Sequence, residues 1–586
     1  MKKLLVLFVA MLFTFMFGCG VTVVTTEAPI TADQSITTNQ DPITTTYSGQ
    51  TPSTTYSGQT PSTTTISPGT ATTADQRVYL DLPDEEVEIN FWHIFGAGKS
   101  ALLDELIDEF EKMYPNVTVV STSQSNYPTL RDTINGAIMV GQAPTLALAY
   151  PDHVATYLTA KAVQKLDNYI NSNVVYEITD PTSTLYGEMV EVALDIEDFI
   201  DPYLKENNQY PGGYYYSLPY SKSTETAAVN RTVLKHHVSE IRELGINISD
   251  NGFLDHETPL TFAQLQALTP ILVTDNKTVD VANKKCKFLL NYDSSGNTFI
   301  NVSRQLNAPY TNAQGQILIN NQTTKNMLTY FEAMFTRRTF VLPTEWNSDY
   351  GSTYFKYGEV CMTVGSSAGV SFNIPSTADD IKNLKFGIFD VDFIGVPQAV
   401  LENNTPVTLD AGGTQLNFTG SKSVVQQGPN ICIFSNASSN EKLFAWLLIK
   451  WLTTTENSAR WAMDTGYLPV RQSSYTTDAK IQLTGSFSIS YKDFLGIAQE
   501  YWANDGVVDW SQDPEKIDYL HSSMVANIAA YQIDASRYDP AFPASINNAS
   551  SATARDEAGI CLENLYSPDF GPEKALEVMV STLIFN

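Results

Sequence analysis

The segment 87–120 contains two different periods of apolar and polar residues. Its first seven residues, VEINFWH, alternate with a period of two, which predicts a strand. Between Leu102 and Met113 the apolar residues recur at helical spacing on an acidic stretch, which predicts a helix with one buried face. Pro115 ends that helix because proline disfavours helical conformation in the preceding residue. With a second strand at VTVV, the order strand, helix, strand predicts a right-handed parallel crossover.

The turn between this strand and helix contains the letters GAGKS at residues 96–100, which are typical of a phosphate-binding P-loop. A P-loop also requires a glycine five residues before its last glycine, and that position holds His93. Without it the loop cannot form the same nest of backbone amides. We therefore expect no nucleotide site here.

The segment 87–120 resembles the opening of the family-one extracellular solute-binding proteins of ABC importers, which begin with an FWH-like strand, a glycine turn, an LDELIDEF-like helix and YPNVTV. Later segments resemble the same family in the same order: 123–158 with its YP loop and GQAP turn, 214–230 with LPYSKSTE, 354–370 with GEVCMTVGSSAG, and 456–475 with TGYLPVR. The resemblance implies an α/β, type II periplasmic-binding-protein-like fold, in which two lobes close on a ligand by a hinge motion. It implies a binding protein without cofactor and not an enzyme.

The chain divides into four kinds of segment. Residues 1–19 have the basic start, short apolar run and Gly-Cys ending of a lipoprotein signal peptide, so Cys19 is expected to carry lipid and anchor the chain on the outer face of the cell membrane. Residues 20–86 are rich in Thr, Ser and Pro, with YSGQTPSTT twice in tandem, and are expected to form a disordered tether. The resemblance assigns residues 87–222 and 371–452 to lobe 1, and residues 223–370 and 453–586 to lobe 2.

Charge and cysteine content restrict the classes of partner. A net charge of −29 disfavours nucleic-acid binding. Cys286, Cys361, Cys432 and Cys561 match no zinc pattern or tight disulfide framework, and we expect them to be buried thiols. The six histidines are scattered, so no metal site is expected. The expected partners are a small solute and the subunits of an ABC permease, and the chain is expected to be a monomer.

The resemblance places ligand contacts at nine positions, each of which also has an ordinary structural interpretation as a packing, capping or strand-end residue. They are Tyr127, Asp152, His153, Ser223, Thr224, Ser366, Ser367, Tyr467 and Arg555. Small residues in the GSSAG turn would let backbone amides approach a ligand closely. Arg555 is the position at which the glycerol-3-phosphate-binding branch holds its phosphate, although the spacer from GYLP is long in this chain.

The nature of the solute stays open between two chemistries. With 30 Tyr and 7 Trp the chain has many rings that could stack on sugar faces, and a sugar or oligosaccharide is the expected ligand. Glycerol 3-phosphate or a glycerophosphodiester is the alternative, which an arginine fork and helix N-terminal amides would favour. A secreted glycosidase would need a pair of carboxylates across a sugar bond, and no spacing marks one. A surface adhesin could use the same tether.

Overall fold

The structure is a computed structural model that describes residues 77–379, 382–483 and 487–585. The signal peptide, Cys19 and the tandem repeat lie outside the described residues. The strands are β1 Val78–Asp81, β2 Val87–His93, β3 Val117–Ser123, β4 Leu146–Ala149, β5 Val174–Glu177, β6 Met189–Glu191, β7 Leu218–Pro219, β8 Ser223–Asn230, β9 Phe288–Tyr292, β10 Phe340–Val341, β11 Val360–Ser366, β12 Val391–Ile394, β13 Thr405–Ala411, β14 Thr414–Gly420, β15 Val424–Gln427, β16 Asn430–Ile433, β17 Ile481–Gln482, β18 Ser488–Ile489 and β19 Ser536–Arg537.

The helices complete both lobes. They are α1 Ala97–Met113, α2 Tyr127–Met139, α3 Pro151–Thr159, α4 Asp167–Ile170, α5 Asp201–Lys205, α6 Arg231–His236, α7 Val238–Glu243, α8 Phe262–Leu272, α9 Ser295–Gln305, α10 Gln322–Thr336, α11 Ser352–Lys356, α12 Ser439–Leu452, α13 Thr455–Thr465, α14 Gln472–Thr476, α15 Tyr491–Ala503, α16 Lys516–Tyr531, α17 Ser551–Asn564 and α18 Pro572–Leu583. Short 3₁₀ turns lie at Pro343–Trp346, Ser367–Asn373 and Ile533–Ala535. Among the described residues, no helix is both long enough and apolar enough to cross a bilayer.

Lobe 1 is built on a sheet with the strand order β3-β2-β4-β16-β7. The predicted crossover is confirmed, since β2 and β3 pair in parallel and α1 connects them. The apolar stripe of α1, from Leu102 to Phe110, is buried. Helix α2 begins at the rim of this lobe and has a proline in its first turn. The Asn126 side chain caps the helix by accepting a hydrogen bond from the Thr129 amide.

Lobe 2 is built on a second sheet with the order β10-β9-β11-β8-β15-β19, in which β12 also pairs with β8. All eight side chains of β8 are buried, as expected for a strand covered on both faces. Helices α8, α9, α10, α17 and α18 pack their apolar faces into one core with this sheet. The two sheets therefore belong to two lobes, as the resemblance implies.

Two short segments of the described chain join a strand of one sheet directly to a strand of the other, and the chain also returns from β16 of the first sheet to β19 of the second through the elements between them. Residues 220–222 join β7 of the first sheet to β8 of the second, and residues 428–429 join β15 of the second to β16 of the first. Gly428 has φ +87°, and a Cβ there would lie 2.0 Å from the carbonyl oxygen of Ser221. Only glycine fits this crossing without displacing the backbone.

Two expected boundaries need correction. Residues 78–81, expected in the disordered tether, form β1, which pairs in parallel with β5. Lobe 1 was expected to resume at residue 371, but β12 and β15 remain in the second sheet. The strand pairing therefore places the return to lobe 1 at residues 428–430. The physical reason is that β12 and β15 complete hydrogen bonding along β8, which the local sequence does not reveal.

The four described cysteines, Cys286, Cys361, Cys432 and Cys561, are buried and unbridged, as expected. Burial raises the pKa of the Cys432 and Cys561 thiols to about 12. They are inert packing groups.

Candidate ligand-binding cleft

A cavity of about 550 Å³ lies between the lobes, and we call it the central cleft. Lobe 1 contributes Lys99, from the first turn of α1, and the crossing β15 contributes Gln427. Lobe 2 contributes Glu225, Asn297 and Ser366 among others. The cleft thus forms where strand and helix ends of the two lobes face each other, which is the usual position of a ligand site in α/β folds.

Glu225 is the central polar group of the cleft. Its Oε1 accepts hydrogen bonds from Asn297 Nδ2 at 3.1 Å and Gln427 Nε2 at 3.0 Å. Its Oε2 is buried and has no hydrogen-bond partner among the described residues. Burial raises the pKa of this carboxyl group to about 7. A buried polar atom without a partner is costly in a native protein, so Oε2 is well placed to accept a hydrogen bond from a bound ligand.

A tyrosine cluster closes the lobe 1 side of the site, and it includes Tyr467, which packs in the lobe 1 core although the resemblance assigned residues 453–586 to lobe 2. The rings of Tyr127 and Tyr150 meet edge to face with centroids 4.6 Å apart. The ring of Tyr467 lines the central cleft, and Lys99 Nζ lies 4.8 Å from the centroid of this ring. Burial raises the pKa of Tyr467 to about 12. The hydroxyl of Tyr127 is buried, and burial together with the neighbouring Tyr467 and Tyr150 raises its pKa. These rings offer aromatic faces and hydroxyl groups in one place.

A second, small cavity of about 30 Å³ adjoins this cluster, and we call it the side cavity. Its walls include Tyr150, Asp152, Tyr310, Asp539 and Arg555. The guanidinium of Arg555 donates to Asn297 Oδ1 and to the carboxylate of Asp539. Because Asn297 also bonds Glu225, Arg555 is linked to the central cleft through one side chain.

The predicted contact residues fall into two groups. Ser366 and Tyr467 line the central cleft, Asp152 and Arg555 line the side cavity, and the Tyr127 ring packs against the Tyr150 of that cavity. The other four, namely His153, Ser223, Thr224 and Ser367, are buried and line neither cavity.

The buried group makes internal contacts instead. Thr224 Oγ1 donates to the Val425 carbonyl at 3.3 Å, and the Thr224 amide lies 3.4 Å from Ser367 Oγ. His153 packs against the Tyr150 ring, its Nδ1 has no partner among the described residues, and burial lowers its pKa. In this arrangement these residues join strands and helices and do not face the cleft.

Sequence reasoning missed several cleft residues. Lys99 donates to the carbonyl of Ala368 at 2.9 Å across the cleft, a contact 269 positions apart that no local motif indicates. Asp293, whose pKa burial raises to about 6, accepts a hydrogen bond from the Gly351 amide at 2.7 Å. Asn297 and Gln427 were missed because only tertiary packing brings them to Glu225, Gln427 by the pairing of β15 with β8 and Asn297 from the start of α9. The polar residues 293–297 at the start of α9 were the feature of the sequence that could have indicated this part of the cleft.

Within the described ranges, no group of three or more His, Cys, Asp or Glu side chains could hold a metal ion. The chemistry that this site offers is hydrogen bonding and aromatic contact. Residues 105–485, more than half of the chain, match the family of bacterial extracellular solute-binding proteins.

The chain belongs to this family.

Curated relatives of this solute-binding protein include the sn-glycerol-3-phosphate-binding periplasmic protein UgpB of Pectobacterium atrosepticum, which is 21% identical over 412 residues, 67% of this chain and 75% of the relative. UgpB of Salmonella typhimurium is 20% identical over 395 residues, 66% of this chain and 75% of the relative.

Two solved structures share the fold. UgpB of Mycobacterium tuberculosis, in complex with glycerophosphocholine, has a TM-score of 0.54 and 14% identity, covering 84% of this chain and 96% of its own. The maltose/maltodextrin-binding domain MalE of Bdellovibrio bacteriovorus, bound to maltotriose, has a TM-score of 0.54 and 15% identity, covering 84% of this chain and 98% of its own. The expected two-lobed fold and the expected family are both confirmed.

Proposed function

We propose that this solute-binding protein captures a sugar or oligosaccharide in the central cleft and delivers it to an ABC permease by hinge closure. The observation that carries the proposal is the unpartnered Oε2 of Glu225 in a cleft that also holds aromatic rings. A sugar hydroxyl would donate to this oxygen, and its apolar ring face would pack on Tyr350, Phe372 or Tyr467.

The balance of charge in the site supports a neutral ligand. Glu225 and Asp293 line the central cleft, where Lys99 is the cation among the lining residues. In the side cavity Asp539 already bonds the guanidinium of Arg555. A dianionic ligand would therefore meet carboxylates, which disfavours it electrostatically.

Glycerol 3-phosphate or a glycerophosphodiester is the second candidate. Arg555 lies at the side cavity and is linked to Glu225 through Asn297, so an arginine is present close to the cleft. Curated relatives are named for glycerol 3-phosphate, and one structural neighbour is bound to glycerophosphocholine. In this mode the ligand phosphate would take the place of Asp539 on the guanidinium.

The membrane anchor belongs to the same proposal. Cys19 follows an apolar leader and would carry lipid, leaving the segment up to residue 76 to connect it to the folded chain. Replacement of Cys19 by Ser would then move the protein from the membrane fraction to the soluble fraction.

Thermal unfolding of the chain from residue 77, followed against a ligand panel, tests the choice of ligand. The panel holds mono- and oligosaccharides, glycerol 3-phosphate and glycerophosphodiesters. A ligand at about a hundred times its dissociation constant stabilises the native state by about 2.7 kcal/mol, enough to raise the unfolding midpoint measurably. We expect sugars to raise it, Glu225→Ala to remove the effect and the exposed Arg242→Ala to retain it.

Substitution of Arg555 distinguishes the sugar from the phosphate ligand. A midpoint shift with glycerol 3-phosphate alone, lost in Arg555→Ala, would replace the sugar with the phosphate ligand. No shift with any member of the panel would contradict both.

A further inference from the structure

A third cavity, of about 630 Å³, lies on lobe 2. Its lining is positively charged, whereas the chain as a whole is negatively charged. Its lining residues include Arg304 at the end of α9, Lys422 between β14 and β15, and Arg537 in β19. No Asp or Glu is among its lining residues. We call it the basic pocket. Three cations around one cavity are unexpected in a chain with a net charge of −29.

The cations of the basic pocket are incompletely neutralised. Arg304 bonds the carboxylate of Asp539 and the Tyr538 carbonyl, so its charge is partly balanced. Arg537 donates to the carbonyls of Asp534 at 2.8 Å and Ser536 at 2.7 Å, and has no carboxylate partner among the described residues. Burial and the neighbouring Arg304 lower the pKa of Arg537, and the charge of Asp534 offsets only part of this shift.

The ammonium of Lys422 has no hydrogen-bond or ion-pair partner within the described part of the chain. Only its backbone amide is engaged, donating to Asn403 Oδ1 at 2.8 Å. Two of the three cations thus make no ion pair with a carboxylate among the described residues, and an anion in the pocket would supply one.

Two buried hydroxyl groups complete the site. Ser423 is 2% exposed and Tyr310 is 7% exposed, and both line the basic pocket. Neither Ser423 Oγ nor Tyr310 Oη has a hydrogen-bond partner among the described residues. Hydroxyl groups can donate to an oxyanion, so both buried groups would be satisfied by the ligand that the cations attract.

We propose that the basic pocket binds an oxyanion, namely a phosphate, sulfate or carboxylate group, held by Lys422 and Arg537 with hydrogen bonds from Ser423 and Tyr310. Tyr310, Thr311, Tyr538 and Pro540 line both this pocket and the side cavity. The anionic group is therefore either a free ion or a substituent of a solute that also reaches the side cavity. The inference does not depend on the sugar proposal, because the basic pocket shares no lining residue with the central cleft.

Isothermal titration of the full chain, purified in neutral detergent, tests the pocket with inorganic phosphate and sulfate against chloride at matched ionic strength. We expect phosphate or sulfate to bind and chloride not to, with Lys422→Gln and Arg537→Gln each weakening the affinity about tenfold. Lys277→Gln removes the same charge outside the pocket and should have no effect. Ser423→Ala should weaken binding severalfold without lowering the unfolding midpoint, since it removes no existing hydrogen bond.

A second arm identifies the source of the anion. A disaccharide is compared with the same disaccharide carrying a terminal phosphate, in wild type and in Lys422→Gln. Binding of the free ions supports a free oxyanion ligand. Tighter binding of the phosphorylated sugar alone, with the advantage lost in Lys422→Gln, supports an anionic solute. If neither probe responds, or if the pocket variants bind as wild type does, the inference is overturned, while binding of the neutral disaccharide would still uphold the sugar proposal.

Discussion

The carboxyl group of Glu225 lies where the crossing strand β8 enters the central cleft, and burial controls its protonation. In the unfolded chain this group ionises near its ordinary pKa of 4.5, whereas the folded protein holds the proton up to about 7. Between these values the folded state binds more protons than the unfolded state. The free energy of unfolding should therefore fall as the pH rises from 4.5 to 7.

Glu225→Gln should remove this part of the pH dependence. We expect the wild type to lose up to ~3 kcal/mol relative to the variant between pH 4.5 and 8, because each unit of pKa shift corresponds to about 1.4 kcal/mol. Urea unfolding at several pH values measures the difference. Glu243→Gln, an exposed carboxylate at the end of α7, is the matched control. Parallel pH profiles for the wild type and Glu225→Gln would contradict the assignment.

At the scale of elements, a buried ion pair holds the crossing between the sheets. Lys222 lies between β7 and β8, and its ammonium bonds the carboxylate of Glu206 and the carbonyl of Gly428, the latter at 2.7 Å. The side chains of Lys222 and Glu206 are 1% and 3% exposed. Asn430 Nδ2 also donates to Glu206, at 2.7 Å. One buried network therefore ties both crossing segments together.

Lys222→Met should destabilise the protein strongly, because it leaves the Glu206 carboxylate buried without its cation. Removing one partner of a buried pair costs about 3–5 kcal/mol. Lys222→Met combined with Glu206→Gln should recover most of this loss, and a double-mutant cycle by urea unfolding measures the coupling. Lys205→Met removes an exposed lysine that pairs with Asp201 within α5, and should leave the stability nearly unchanged. Equal effects of Lys222→Met and Lys205→Met would show that the crossing does not depend on the buried pair.

The elements differ in how far the sequence predicts them. The crossover from β2 to β3 was predicted correctly because one local period decides each of its parts. The return from lobe 2 to lobe 1 was misplaced because β12 and β15 pair with β8, about 160 to 200 residues earlier in the chain. Glu225 lay in a segment singled out by its resemblance, but its partner Gln427 is 202 positions away. The local pattern of apolar and polar residues therefore predicted the individual elements, whereas pairing between distant strands determined which residues meet in the cleft.

At the level of the whole molecule, polar contacts join the two lobes across the cleft. Lys99 in α1 of lobe 1 donates to the Ala368 carbonyl of lobe 2 at 2.9 Å. Arg131 in α2 lies 3.7 Å from Asp556 in α17. These contacts exist only while the lobes are close, so they bias the equilibrium between closed and open arrangements.

Lys99→Met should shift that equilibrium towards the open arrangement. A hydrogen bond to a charged group contributes roughly 1.5–3 kcal/mol, so its loss should lower the closed population and weaken ligand affinity about tenfold or more. Small-angle X-ray scattering should show a larger radius of gyration without ligand and an unchanged radius at saturating ligand, since enough ligand restores closure. Lys112→Met, an exposed lysine in the last turn of the same helix, should match the wild type in both measurements. If Lys99→Met binds as tightly as Lys112→Met and scatters alike, the contact with Ala368 does not stabilise closure, and the bias must come from the ligand itself.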